Sequence, residues 1–342
     1  MRYPILVRVL LALLAAAGLV GTAVSAYLAN HTPALEVPPA AALPEHPTAV
    51  EHWVNRAEAR HADIVPGTRA RVTWGRRYRP RRTERVIVHL HGFSASRQET
   101  APLVERLAAR WNANAFEARL SGHGRGGAAL ARADASDWLG DAREALAIGR
   151  ALGDRVLVVG CSTGATLAAW LASRDDQSGV LGYVLLSPNF GPRDWRSDLL
   201  LLPGARTWAP WIQGSHYRFE PANERQARYW TTRYPTTALV SMMRLVDHVR
   251  DRDYGDVRRP VLTLYSPTDR IVDTGAIRAW HQALDAPRTR LVSLRPGDPA
   301  GHVLAGDILS PATTDDVMAA IEAFFDPPAP ATARRTIDRP GS

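Results

Sequence analysis

The sequence predicts an α/β fold: a mostly parallel sheet with helices on both faces and a helical cap inserted into it. Three observations predict it. Runs such as 85–90 (RVIVHL), 155–159 (RVLVV) and 180–186 (VLGYVLL) are almost continuously apolar, as strands buried on both faces must be. Amphipathic stretches of helical length separate them, which is the pattern of parallel strands joined by crossover helices. The alternation lapses once, over 191–259, where aromatic residues gather instead.

Taken in order, Arg2 and Arg8 precede an uncharged run over 9–28. Residues 1–29 are therefore expected to be a signal peptide or an N-terminal membrane anchor, with membrane association through residues 9–28. Val24-Ser25-Ala26 offers small residues for cleavage. Either way the positive flank stays inside, and the chain is expected to be exported, periplasmic or extracellular. Residues 30–47 are rich in Pro and Ala and read as a linker.

The first part of the core, 48–190, holds strands over 69–74, 85–90, 115–120, 155–159 and 180–186. Helices are expected over 103–111, 135–152 and 163–173, the second with Ser136 as its N-cap. The cap, 191–259, carries Trp195, Trp208, Trp211, Tyr217, Phe219, Tyr229, Trp230 and Tyr234, and ends in an amphipathic run over 238–249. The second part of the core, 260–326, has strands over 261–265 and 290–294 and helices over 274–284 and 313–325. Residues 327–342 repeat Pro, Ala and Arg and read as a disordered tail. No internal repeat is evident.

The 342 residues suffice for a sizeable core. The formal charge is +8 and, with no Lys in the chain, all 42 basic residues are Arg. They are scattered, without a basic stripe interleaved with aromatics, so nucleic acid is excluded as a partner. The single cysteine, Cys161, can form neither an intrachain disulfide nor a Cys-based metal site. It is expected to be a small buried residue with no activating partner.

Gly160-Cys161-Ser162-Thr163-Gly164 fits G-x-S-x-G between a buried strand and a helix. In that context the turn is so tight that its neighbours must be small, and Ser162 is raised above the sheet edge as a candidate nucleophile. A serine hydroxyl needs a base at neutral pH. Asp269, just past the strand over 261–265, and His302, in the loop past the next strand, follow Ser162 in the chain order such elbows require. Asp273 reads instead as an N-cap, His281 lies within a helix, and Asp298 is too close to His302 in sequence to be its partner. Two backbone donors should hold the oxyanion: Thr163 N–H, and Phe93 N–H from the loop His91-Gly92-Phe93-Ser94.

Two further patterns are set aside. Gly122-His123-Gly124-Arg125-Gly126-Gly127 has the spacing of a dinucleotide fingerprint, but no helix opens directly on it and no acidic residue ends a following strand. His89 and His91 share a strand face, but no further ligands follow in the loop, and packing explains the pair better than a metal.

Four segments together resemble the α/β-hydrolase superfamily, in particular its monoacylglycerol lipase and carboxylesterase branch. They are His91-Gly92-Phe93, Leu120-Ser121-Gly122-His123-Gly124, the elbow from Gly160 to Gly164, and Thr268-Asp269-Arg270-Ile271-Val272 with Gly301-His302-Val303. The resemblance spans about 85–325 and implies an α/β-hydrolase fold with a helical cap, hydrolysis of a small-molecule carboxylic ester, and no cofactor. It carries the triad roles onto Ser162, Asp269 and His302, and the oxyanion role onto Phe93 and Thr163. The chain departs from the branch in having Thr163 where Met is frequent and Ala165 where a second Gly is common, and in its N-terminal segment. The cap aromatics and the run 199–202 suggest a lipophilic acyl group, although the same residues would serve to pack cap on core. Rival readings are an amidase, peptidase or acyltransferase with the same triad, and a non-catalytic envelope binding protein of the same fold. The last would usually have lost one triad member.

Overall fold

Apolar runs can bury both faces and satisfy their backbone groups only by pairing side by side under helices. The computed structural model shows that arrangement, and describes residues 5–30, 35–39, 41–75 and 80–326. Helices α1 (Ile5–Asn30) and α2 (Pro47–Ala59) precede β1 (Arg71–Thr73), β2 (Thr83–Leu90), α3 (Leu103–Trp111) and β3 (Asn114–Glu117). Then come α4 (Gly127–Arg132), α5 (Ala135–Leu152), β4 (Gly153–Cys161), α6 (Thr163–Ala172) and β5 (Val180–Leu186). The inserted cap holds a 3-10 segment over Trp195–Leu201, α7 (Ala205–Gln213), β6 (His216–Arg218), α8 (Glu224–Tyr229), β7 (Arg233–Pro235) and α9 (Thr237–Arg250). The chain returns to the core as β8 (Val261–Tyr265), α10 (Thr274–Ala283), β9 (Thr289–Ser293) and α11 (Thr314–Phe325).

The seven core strands lie in the order β1-β3-β2-β4-β5-β8-β9. Every neighbouring pair is parallel except β1 with β3. Side chains alternate between two hydrophobic layers, as a pleated strand requires. Val86, Val88, Val156, Val158, Tyr183 and Leu185 face the layer built from α5, α6 and α9. Ile87, Leu157, Val159, Val184 and Leu186 face the layer built from α3 and α11.

Several sequence expectations need correction. The N-cap of α5 is Asp134 rather than Ser136: Asp134 Oδ1 accepts from Ser136 N at 2.8 Å, and Asp137 Oδ2 accepts from Asp134 N at 3.0 Å. This is a capping box, and it places Ser136 inside the first turn. The strand expected over 115–120 is β3, ending at Glu117, because the chain then turns so that Leu120 N donates to His91 Nε2. The cap is mainly helical, as expected, and adds a small antiparallel pair of β6 and β7. Two helices, α2 and α4, had no sequence expectation.

The apolar N-terminal run forms α1, whose described side chains at 5, 7 and 9–22 are almost all exposed. Among the described residues no helix is long and apolar enough to cross a membrane. In the segment read as a linker, Leu35, Val37 and Leu43 pack against the core, and Arg143 donates to Pro38 O at 3.0 Å. The tail expected over 327–342 lies outside the described residues.

Candidate active site

The C-terminal end of β4 sets the site. Ser162 has φ 52° and ψ −117°, a left-handed backbone that a non-glycine residue adopts only when its surroundings enforce it. The enforcing contacts are visible at the flanking glycines. A Cβ on Gly160 would lie 2.3 Å from Gly164 O, and one on Gly164 only 1.9 Å from Leu90 O. The turn therefore closes between α6 and β2 with no room for side chains at either position, and lifts Ser162 at the sheet edge. Ser162 N donates to Leu186 O at 2.8 Å, which ties the elbow to the end of β5.

One residue further along β5's exit, Ser187 Oγ donates to His302 O at 2.7 Å. Adjacent residues thus hold the backbones of Ser162 and His302. The His302 loop is further gathered by Asp298, whose Oδ2 accepts from His302 N and Val303 N, both at 2.9 Å. Asp298 is accordingly a backbone holder rather than a partner of the ring.

Asp269 is fully buried and takes that role. Its Oδ2 accepts from His302 Nδ1 at 2.8 Å, while Oδ1 accepts from Ile271 N at 2.8 Å and Val272 N at 3.0 Å. With Nδ1 committed to the carboxylate, the ring's Nε2 is the lone-pair nitrogen. Burial presses the His302 pKa down, but the hydrogen bond and charge of Asp269, joined by Glu99 and Asp298, outweigh it and raise the pKa above the usual value. The structure thus joins Asp269 to His302 directly and brings Ser162 to the same sheet edge through β5. Ser162 and His302 each retain 7% exposure. The competing Asp273 caps α10 by accepting from Gly275 N at 2.7 Å, and His281 Nδ1 bonds Thr263 Oγ1 instead.

Of the two residues expected to hold an oxyanion, Thr163 directly follows Ser162 and Phe93 directly follows Gly92. Thr163 opens α6, where the first N–H groups of a helix have no internal partner. Gly92, which precedes Phe93, is so close that a Cβ there would lie 3.2 Å from Ser162 Cβ. Phe93 meets Tyr234 of β7 edge to face at a centroid distance of 5.4 Å, and Val303, next to His302, packs with Trp230 and Ile308. The cap thus brings Tyr234 and Trp230 against core side chains that neighbour the site. Of the run 199–202, only Leu200 is buried; Leu199 and Leu202 are 43% and 52% exposed.

The two histidines of the β2 end each bond a neighbour through Nε2. His89 Nε2 bonds Thr100 Oγ1 and His91 Nε2 accepts from Leu120 N, and burial holds their pKa values down, to about 3 and about 4. Among the described residues no three His, Cys, Asp or Glu side chains gather as a metal site. Burial raises the Cys161 thiol well above its ordinary pKa, and the residue is buried beside Ser162.

Two residues escaped the sequence reading. Arg193, at the entrance to the cap, donates to Asp269 O at 2.7 Å. Glu99, only 2% exposed, accepts from Gly92 N at 2.7 Å, and burial pushes its carboxyl up to about 7.

With this geometry in view, a model of the family described as serine aminopeptidase, S33, matches residues 81–297. The chain belongs to this family. His302 lies just beyond the matched segment of this S33-family chain. Its solved structural relatives include one of two metagenome-derived lipolytic enzymes, with a TM-score of 0.64 at 18% identity over 77% of this chain and 98% of that one. A soluble variant of monoglyceride lipase from Saccharomyces cerevisiae has a TM-score of 0.57 at 12% identity, covering 76% of this chain and 92% of its own. A monoacylglycerol lipase from Paleococcus ferrophilus has a TM-score of 0.53 at 15% identity, covering 75% and 97%. At these identities the likeness is one of fold, and the fold is that of the α/β-hydrolases. Among curated proteins none matches the chain. The S33-family chain is a hydrolase of the α/β-hydrolase type.

Proposed function

We propose that this protein is a serine hydrolase that cleaves carboxylic esters with lipophilic acyl groups by two-step acyl transfer. The observation that carries the reading is the buried 2.8 Å bond between His302 Nδ1 and Asp269, at the sheet edge where the strained Ser162 elbow stands. Ser162 Oγ attacks the ester carbonyl carbon while His302 Nε2 takes its proton. Asp269 keeps the ring in the right tautomer and steadies its cation, and Phe93 and Thr163 N–H hold the oxyanion. The tetrahedral intermediate collapses by breaking the bond to the alcohol oxygen, which receives the proton from His302. Water, deprotonated by His302, then attacks the acyl-serine, and the acid leaves as Ser162 regains its proton. The apolar cap side chains around Phe93 and Val303 support a lipophilic acyl group.

The family description favours a second reading, hydrolysis of an amino-terminal peptide bond by the same groups. A panel of p-nitrophenyl esters of increasing chain length beside aminoacyl p-nitroanilides separates the two. We expect turnover of esters, and covalent labelling by a fluorophosphonate in wild type that is absent in Ser162→Ala. Anilide turnover exceeding ester turnover would reverse the assignment of substrate. Labelling that persists in Ser162→Ala would remove the serine mechanism.

A further inference from the structure

The acyl-transfer scheme gives no task to Glu99, a buried acid beside the elbow. Glu99 lies on a single 3-10 turn, Arg97–Glu99, that follows the Gly92–Phe93 loop. Its Oε2 accepts from Gly92 N at 2.7 Å. A Cβ placed on Gly92 would stand 2.7 Å from Glu99 Oε1 and 3.2 Å from Ser162 Cβ, so carboxyl and nucleophile close on the same residue. The Gly92 carbonyl is held as well, by His91 Nδ1 at 2.9 Å and Ala95 N at 3.3 Å. In a trans peptide the C=O and the next N–H point in opposite directions. The bonds to Gly92 C=O therefore set the direction of Phe93 N–H, and the Glu99 bond to Gly92 N–H fixes the preceding peptide on which that unit hangs.

Resting on the acyl-transfer reading above, we infer that Glu99 is a positioning residue: through Gly92 N–H it holds the His91–Gly92 peptide, so that the next peptide presents Phe93 N–H to the oxyanion, and its negative charge supports the His302 cation formed in the reaction. The titratable groups facing Glu99 are His302, Asp298 and the Cys161 thiol. Burial raises the Glu99 carboxyl to about 7, against the pull of the Gly92 hydrogen bond and of His302. Above that pH it carries its charge, and the charge in turn raises His302. A carboxylate there accepts the Gly92 N–H more strongly than a neutral group.

The test uses the full chain, p-nitrophenyl butyrate, and a pH range from about 5 to 9, which spans the ordinary histidine value of about 6.5. Glu99→Ala should lower kcat at least about 30-fold, with KM within about twofold, as for a lost oxyanion contact. Glu99→Gln keeps an oxygen for Gly92 N–H and should recover most of that kcat at the alkaline end of this range. Its acid limb of kcat/KM should lie below that of wild type, because the histidine has lost a negative neighbour. A wild-type kcat in Glu99→Ala overturns the inference, as does an acid limb in Glu99→Gln that stays where wild type has it. Should Glu99→Ala fail to fold, the limb of the near-isosteric Glu99→Gln decides alone. Fluorophosphonate labelling separates the levels. A wild type that does not label sinks the acyl-transfer reading and this inference together, whereas a labelling wild type with indifferent Glu99 variants sinks only the latter.

Discussion

The three lone-pair directions that Asp269 uses leave its carboxylate no freedom to turn. Two backbone N–H groups occupy Oδ1 and the His302 ring occupies Oδ2. The consequence is a histidine whose cation is favoured, with its pKa raised above 6.5 despite burial. A general base must be neutral, so activity rises with pH through that raised pKa and falls away below it. The acid limb of kcat/KM is therefore expected above pH 6.5. In Asp269→Asn the limb should move to lower pH and kcat should fall by about 10³- to 10⁴-fold, the loss typical when this partner is neutralised. A pH–rate profile checks both, and an unchanged kcat would take Asp269 out of the scheme. Asp269 and His302 were legible as candidates because chain order and loop position after strands are local facts. Glu99 was not: it sits in the polar run Ser96-Arg97-Gln98-Glu99-Thr100, and only the folding back of that turn brings its carboxyl under Gly92.

At the scale of elements, the elbow depends on how closely α6 approaches β2. Gly164 has Leu90 O at 1.9 Å and His91 O at 2.7 Å from the place of an added Cβ, and both atoms are backbone, which cannot swing aside as a side chain can. Gly164→Ala should thus push α6 off the sheet and cost about 3 kcal/mol or more of stability, at the upper end for overpacking. Urea unfolding reads this directly, and a midpoint equal to wild type would mean that the helix is less tightly seated than described. The elbow was readable from its string because the steric demand is confined to neighbouring residues. Element boundaries were less so. Ser136 lost the cap of α5 because Asp134, two residues earlier, can exchange hydrogen bonds with Asp137, and composition alone does not say where the first helical turn starts.

Across the whole molecule, the segment before β1 splits into parts of different standing. The described side chains of α1 are almost all exposed, whereas α2 buries Val50 and Val54 and carries Glu58 into the core. Glu58 receives a forked pair from Arg119, at 3.0 Å from Nε and 2.8 Å from Nη2, and also accepts from Ala70 N. Both side chains of the pair are more than nine-tenths buried. Removing one partner of such a pair strands the other charge and costs about 3–5 kcal/mol. Glu58→Ala is therefore expected to lower stability by that amount, while deletion of residues 1–29 should leave the unfolding midpoint and the activity unchanged. Thermal or urea denaturation of the two variants checks this, and a midpoint that drops on deletion would show α1 to be part of the folded unit. α2 could have been found from Val50, Val54 and Glu58, which recur at helical spacing after Pro47.

What the sequence determined by itself is what short-range physics controls. Strand runs read as buried because apolar residues are consecutive, the elbow as an elbow because small residues bracket a serine, and the order of serine, acid and histidine because each follows its own strand. The tertiary structure alone decided which distant groups share an interior. Glu58 meets Arg119 across 61 positions of chain, and Phe93 meets Tyr234 of the cap. Those pairings depend on how layers pack, and the residues on either side of a buried charge do not say which distant group it will meet.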